Sequence, residues 1–122
     1  MKIARKYIAQ GDVLFVKIPR KSLPPTAIEV PRSGALIVAH SETGHHHVID
    51  ELTSRHFEVK GSQLVCYLQL GDGTVELGGA DVVHQRSWDT HETVRLLGKP
   101  GDVWKVHRQR ESRPEGWARV QD

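Results

Sequence analysis

An all-β domain, a small barrel or sandwich of short antiparallel strands, is what this sequence predicts, and three observations carry the expectation. Runs rich in valine, isoleucine, leucine and aromatic residues recur at short intervals, as pleated sheets favour. Glycine, proline and aspartate stand between the runs, where a chain must reverse. No stretch keeps apolar residues at the i, i+3, i+4, i+7 spacing of a long amphipathic helix.

Taken in order, Val13 to Ile18 is the first β-rich run, introduced by Gln10-Gly11-Asp12 and closed by Pro19. A proline-rich loop follows over 19–31, with Ala27 to Val30 at most an edge strand, because proline removes a ladder donor. Ala35 to His40 reads as a buried strand and His45 to Asp50 as its return, joined by a hairpin loop at Ser41 to Gly44. Asp50 to Ser54 has room for one helical turn. Arg55 to Val59 alternates as a half-exposed strand, and Gln63 to Leu70 forms another. A tight turn at Gly71-Asp72-Gly73 leads into a strand at Thr74 to Leu77, and a further strand runs from Val82. Thr93 to Leu97 and Val103 to Val106 flank Gly98 to Asp102 as a hairpin, and Gly116 to Val120 closes the sheet.

A length of 122 residues, with 38% hydrophobic and 26% charged, suits a single domain spanning 1–122 with one modest core. Cys66 is the only cysteine, so no internal disulfide forms, and its apolar run marks it as a buried structural thiol. The first residues lack a signal-like apolar stretch and no window approaches a membrane span, so the expectation is a cytoplasmic protein without a membrane partner. The formal charge of +2 is small, but the segment 105–119 is locally basic.

Eight histidines are the main functional signal. If His40 pairs with His45, then Ala39 faces His46 and Val38 faces His47, and the two-residue period puts His40, His45 and His47 on one side of the sheet. Three converging imidazoles suit Zn, Fe, Mn or Ni, with His84 or His91 completing the shell. Glu51 follows His47 at a spacing that weakly resembles the His-x-His-x3-Glu of cupin metal sites, though the expected glycine is misplaced. The resemblance implies a cupin-like metalloprotein. Against this stands the ordinary role of histidine on half-buried strands, hydrogen-bonded to carboxylates. His56 is expected in solvent, His46 on the opposite face from His47, and His107 with the basic tail.

The second signal is that tail. Alternation from Lys105 sets Val106, Arg108 and Arg110 on one face, where guanidinium groups could hold phosphate or carboxylate, and Trp104 or Trp117 could stack a base. A solvated final strand is the simpler account of the same charges. A set of histidine, arginine and glutamate also suits metal-independent RNA cleavage, although no spacing singles out a pair. Phosphate-binding loops, Rossmann glycines, Cys-x-x-Cys knuckles and serine nucleophile elbows are absent from the sequence.

Three blocks resemble a family of small uncharacterised bacterial and phage proteins: Gln10-Gly11-Asp12-Val13-Leu14, Thr43-Gly44-His45-His46-His47 and Val106-His107-Arg108-Gln109-Arg110-Glu111. The resemblance also covers His91 and implies that His45, His47, His91, Arg108 and Arg110 share one design, in a phage or mobile-element setting. It implies no activity. Three functions follow for test: a divalent-metal protein with a small-molecule substrate or none, an RNA- or DNA-binding module or ribonuclease, and a phage accessory component that forms homo-oligomers.

Overall fold

Thirteen short strands make up the described part of the chain, and turns at glycine and proline separate most of them. The structure is a computed structural model that describes residues 1–32, 34–39, 46–62, 64–84, 91–108, 110–113 and 116–119, the backbone alone at 91, 110–113 and 116–119. The strands are β1 (Lys2–Ala4), β2 (Tyr7–Gln10), β3 (Val13–Ile18), β4 (Ile28–Val30), β5 (Leu36–Ala39), β6 (His47–Ile49) and β7 (Arg55–Glu58). They continue with β8 (Val65–Gln69), β9 (Gly79–His84), β10 (His91–Leu97), β11 (Val103–Arg108), β12 (Arg110–Arg113) and β13 (Gly116–Arg119). Among the described residues the only helical pieces are 3-10 turns at Arg20–Ser22 and Asp72–Thr74. No described helix is long and apolar enough to cross a membrane.

Of the two architectures expected, the chain adopts the sandwich. One sheet runs β1-β10-β9-β6-β5, the other β2-β3-β11-β8-β7-β4, and β12 with β13 forms a separate two-stranded ribbon. Pairing is antiparallel throughout except between β1 and β10. The core lies between the sheets: Val13, Phe15, Cys66, Leu68, Trp104 and Val106 of one pack against Leu36, Val38, Ile49, Val82, Val94 and Leu96 of the other. The outer face of the six-stranded sheet carries a second cluster of Phe57, Tyr67 and Val103, roofed by Leu23 and Ala27 of the proline-rich segment.

Several local expectations change. Gly98 to Asp102 does not close a hairpin, because β10 and β11 belong to different sheets and the turn carries the chain from one to the other. Gly101 has φ +94°, open to glycine at no steric cost, and its N–H donates to the Leu70 carbonyl at 2.7 Å. Asp102 ties this crossing to the end of β3 through Lys17 and Arg20. Thr74 to Leu77 is not a strand, because the Thr74 hydroxyl and N–H both turn back to the Gly71 carbonyl. Residues 50–54 form no helical turn. The Glu51 carboxylate instead accepts from the N–H and hydroxyl groups of both Thr53 and Ser54. The last strand does not close a main sheet but pairs with β12.

Two strands at the start, β1 and β2, escaped the sequence reading because Lys2, Arg5, Lys6 and the exposed Tyr7 make them look like a polar lead-in. His56 is also misplaced by that reading: it is buried, not in solvent. On β7, Phe57 goes to the outer cluster under the proline-rich segment, so alternation turns His56 inward.

Candidate functional site

A buried polar cluster bridges the two sheets at one end of the sandwich. Gln10 ends β2 and Asp12 sits in the turn to β3, while His47 begins β6 and His84 ends β9 in the facing sheet. All four are buried, with His47 and His84 at 0% exposure and Asp12 at 1%. His47 and His84 are direct cross-strand partners, and their rings stack with centroids 4.1 Å apart and planes 11° from parallel.

Hydrogen bonding fixes how His47 is held. The Gln10 amide nitrogen donates to the carbonyls of Val82 at 3.0 Å and Glu92 at 3.2 Å, which leaves its oxygen to face the ring. His47 Nδ1 lies 2.8 Å from that oxygen and must therefore carry the proton it donates. The other nitrogen, Nε2, faces Asp12 Oδ1 at 3.3 Å. The pair presents two electron-rich atoms to one point in a dry interior, an arrangement that a shared cation stabilises.

A β-bulge decides which residue meets this cluster. Leu36 pairs with Ile49 and Ile37 with Val48, but the next pair is Ala39 with His47, so Val38 is an extra residue on β5. The expected pairing of Val38 with His47 is thus off by one. The bulged Val38 carbonyl accepts from Arg108 Nη2 at 3.0 Å and from the Cys66 thiol at 3.5 Å. Arg108 also stands 3.7 Å from Glu58 and is mostly covered, with a side chain 13% exposed. Its described contacts are those of an interlayer strut rather than of a solvated anion groove. Trp104 is fully enclosed in the core and offers no face to a base.

The remaining expected ligands are placed as follows. His40 and His45 lie outside the described residues, so their pairing does too. His91 stands opposite His84 in the ladder, which makes 47, 84 and 91 one cross-strand row over β6, β9 and β10. Parallel rings cannot both aim in-plane lone pairs at one ion, so the stacked His47 and His84 do not converge. Among the described residues no three His, Cys, Asp or Glu side chains form a group that could hold a metal. Glu51, the cupin-like candidate, has its carboxylate committed to Thr53 and Ser54. Burial pushes its carboxyl upward, but those hydrogen bonds prevail and hold it below the ordinary value.

The sequence reading missed Gln10 and Asp12 as partners of His47, although Gln10-Gly11-Asp12 stands out as the lead-in to the first β-rich run. Nothing in their spacing from His47 signals the contact. Cys66 is as expected: burial pushes its thiol up to about 11, which outweighs the nearby Arg108. The folded protein should therefore resist alkylation by iodoacetamide at pH 8, with one thiol appearing only on unfolding. Rapid labelling of the native chain would contradict its burial.

Two comparisons with known proteins bring no likeness: no curated protein and no solved structure matches the chain. A family profile described as a domain of unknown function (DUF8820) matches residues 9–109, a stretch that contains Gln10, Asp12, His47, His84, His91 and Arg108.

Proposed function

We propose, for a chain that belongs to the DUF8820 family, that this small β-rich domain holds one divalent transition metal between its sheets, with His47 and Asp12 as ligands. The observation that carries the reading is the His47 Nε2 to Asp12 Oδ1 separation of 3.3 Å, with the Nδ1 proton committed to Gln10. Two ligands bonded at about 2.0–2.1 Å to one tetrahedral ion stand about 3.3–3.4 Å apart. A charge-assisted N–H···O bond would be nearer 2.7–2.9 Å, roughly half an ångström shorter. A ligating histidine that donates its other ring N–H to a carbonyl is the usual supporting arrangement, and Gln10 supplies it.

The remaining ligands come from the histidine row and the segment before β6: His91, and His40 and His45. His84 joins them only if its ring turns out of the stack. Because His47 and Asp12 have almost no exposure, the ion is closed from solvent, which favours a structural metal over hydrolytic or oxidative chemistry. It would fasten the β2–β3 corner of one sheet to β6 of the other.

Elemental analysis of protein purified without a tag tests this. About one zinc, iron, manganese or nickel per chain is expected, falling to trace in Asp12→Ala and in His47→Ala. Trace metal in the unaltered protein, or full retention in both variants, overturns the proposal.

A further inference from the structure

After β4, at the edge of one sheet, the next strand is β5, at the edge of the other. Between them lies a cleft of about 240 Å³, walled by Val30 and Pro31 from the β4 side and by Ala35, Leu36 and Ile37 from the β5 side. Two polar side chains complete its lining, Arg32 and His56. Val30 pairs with His56, and the neighbouring Phe57 belongs to the outer cluster, so alternation turns Val30 and His56 between the sheets. His56 is only 5% exposed. None of the lining residues belongs to the His47 and Asp12 cluster, so the metal reading leaves this cleft unused.

The charge of the cleft comes from Arg32, which is half-buried. Its Nε donates to the Gly34 carbonyl at 2.9 Å, Nη1 to that of Ser54 at 2.7 Å and Nη2 to that of Ile49 at 3.4 Å. Carbonyls hold the guanidinium in place without neutralising it, and no described carboxylate forms an ion pair with it. Each terminal nitrogen keeps a further N–H to donate. Glu58 does not line the cleft and stands instead 3.7 Å from both His56 and Arg108. A cation partly removed from water and met only by dipoles is best completed by an anion. We infer that the cleft binds a short-chain monocarboxylate, its head on Arg32 and its tail against Val30, Leu36 and Ile37. The guanidinium fork matches a carboxylate, and one cation among apolar walls selects a singly charged head over a phosphate dianion. Drug-sized ligands fill roughly 300–1,000 Å³, so the smaller volume here sets a short tail.

The test is isothermal titration calorimetry of the full chain with butyrate, set against butanol, butylamine and inorganic phosphate. Butyrate should bind saturably with a Kd of about 1 mM or below, within reach of so small a ligand. Butanol should bind at least about tenfold more weakly, because a hydrogen bond between charged groups is lost, and Arg32→Gln should show the same loss for butyrate. Arg32 also ties the chain to the Ser54 and Ile49 carbonyls, so a second variant leaves it intact. Ala35→Trp fills the cleft from an exposed position and should abolish binding while circular dichroism stays unchanged. Methyl NMR should place the shifts caused by butyrate at Val30, Leu36 and Ile37. Four results would each overturn the inference: no saturation by about 10 mM butyrate, butanol, butylamine or phosphate bound as tightly as butyrate, either variant folded and binding like the parent, or methyl shifts centred elsewhere.

Discussion

Trp104→Ala should lower folding stability by about 3–5 kcal/mol, read as a shift in the urea midpoint with little change in slope. The indole is fully enclosed and sits at the centre of the inter-sheet cluster with Phe15, Leu68 and Val106. Truncation leaves a cavity that rigid strands on either side cannot close, so lost transfer energy and lost dispersion contacts add. Trp104→Phe should cost much less. The indole Nε1 is buried without a hydrogen-bond partner among the described residues, and removing that unsatisfied donor offsets part of the lost volume. If the alanine variant were as stable as the parent, the central packing of the two sheets described above would be wrong.

Stripping the metal should have an effect of similar size. An ion whose Kd lies about a thousandfold below its free concentration contributes about 4 kcal/mol, since it binds the native chain alone. For a domain of this length that corresponds to a fall of about 15 °C in Tm on adding a chelator such as EDTA. The decisive comparison is between treatments. In Asp12→Ala the ion is already lost, so EDTA should shift its Tm no further. A chelator that leaves the parent untouched, beside a strong loss from Asp12→Ala, would mean that Asp12 and His47 act as a proton-bridged buried pair. That pattern is the expected signature of removing one partner from a buried charge pair.

The strands themselves were largely legible. Val13 to Ile18 was read at its full extent, and β5, β6, β7 and β8 fall inside the runs expected for them. β-branched runs bounded by proline and glycine report a local property, the fit of each segment to a pleated surface. The turn at Gly98 to Asp102 was legible as a turn but not as a crossing between sheets, because a reversal of direction looks the same in either case. Thr74 to Leu77 had strand composition, but a side-chain bond to Gly71 overrode it.

The site was legible only in part. His47 and His84 were both among the candidate ligands, and the structure makes them ladder partners. The convergence predicted for the hairpin depended on a register that the Val38 bulge displaces by one residue, which a period-two pattern cannot anticipate. Trp104 and Arg108 were read as an exposed strip, yet their strand is central in its sheet, so one face of it must be core.

By itself, then, the sequence determined the all-β class, the positions of most strands and turns, the buried unreactive thiol and the presence of an unusual histidine set. Tertiary structure alone decided that Gln10 orients His47, that Asp12 faces it, and that Arg108 caps the bulged Val38 carbonyl. The physical reason is range. Alternation and turn chemistry act over two to five residues and leave their mark in neighbouring letters. The contacts that build the site join strands of opposite sheets, and the free energy that selects them is the packing of the whole sandwich.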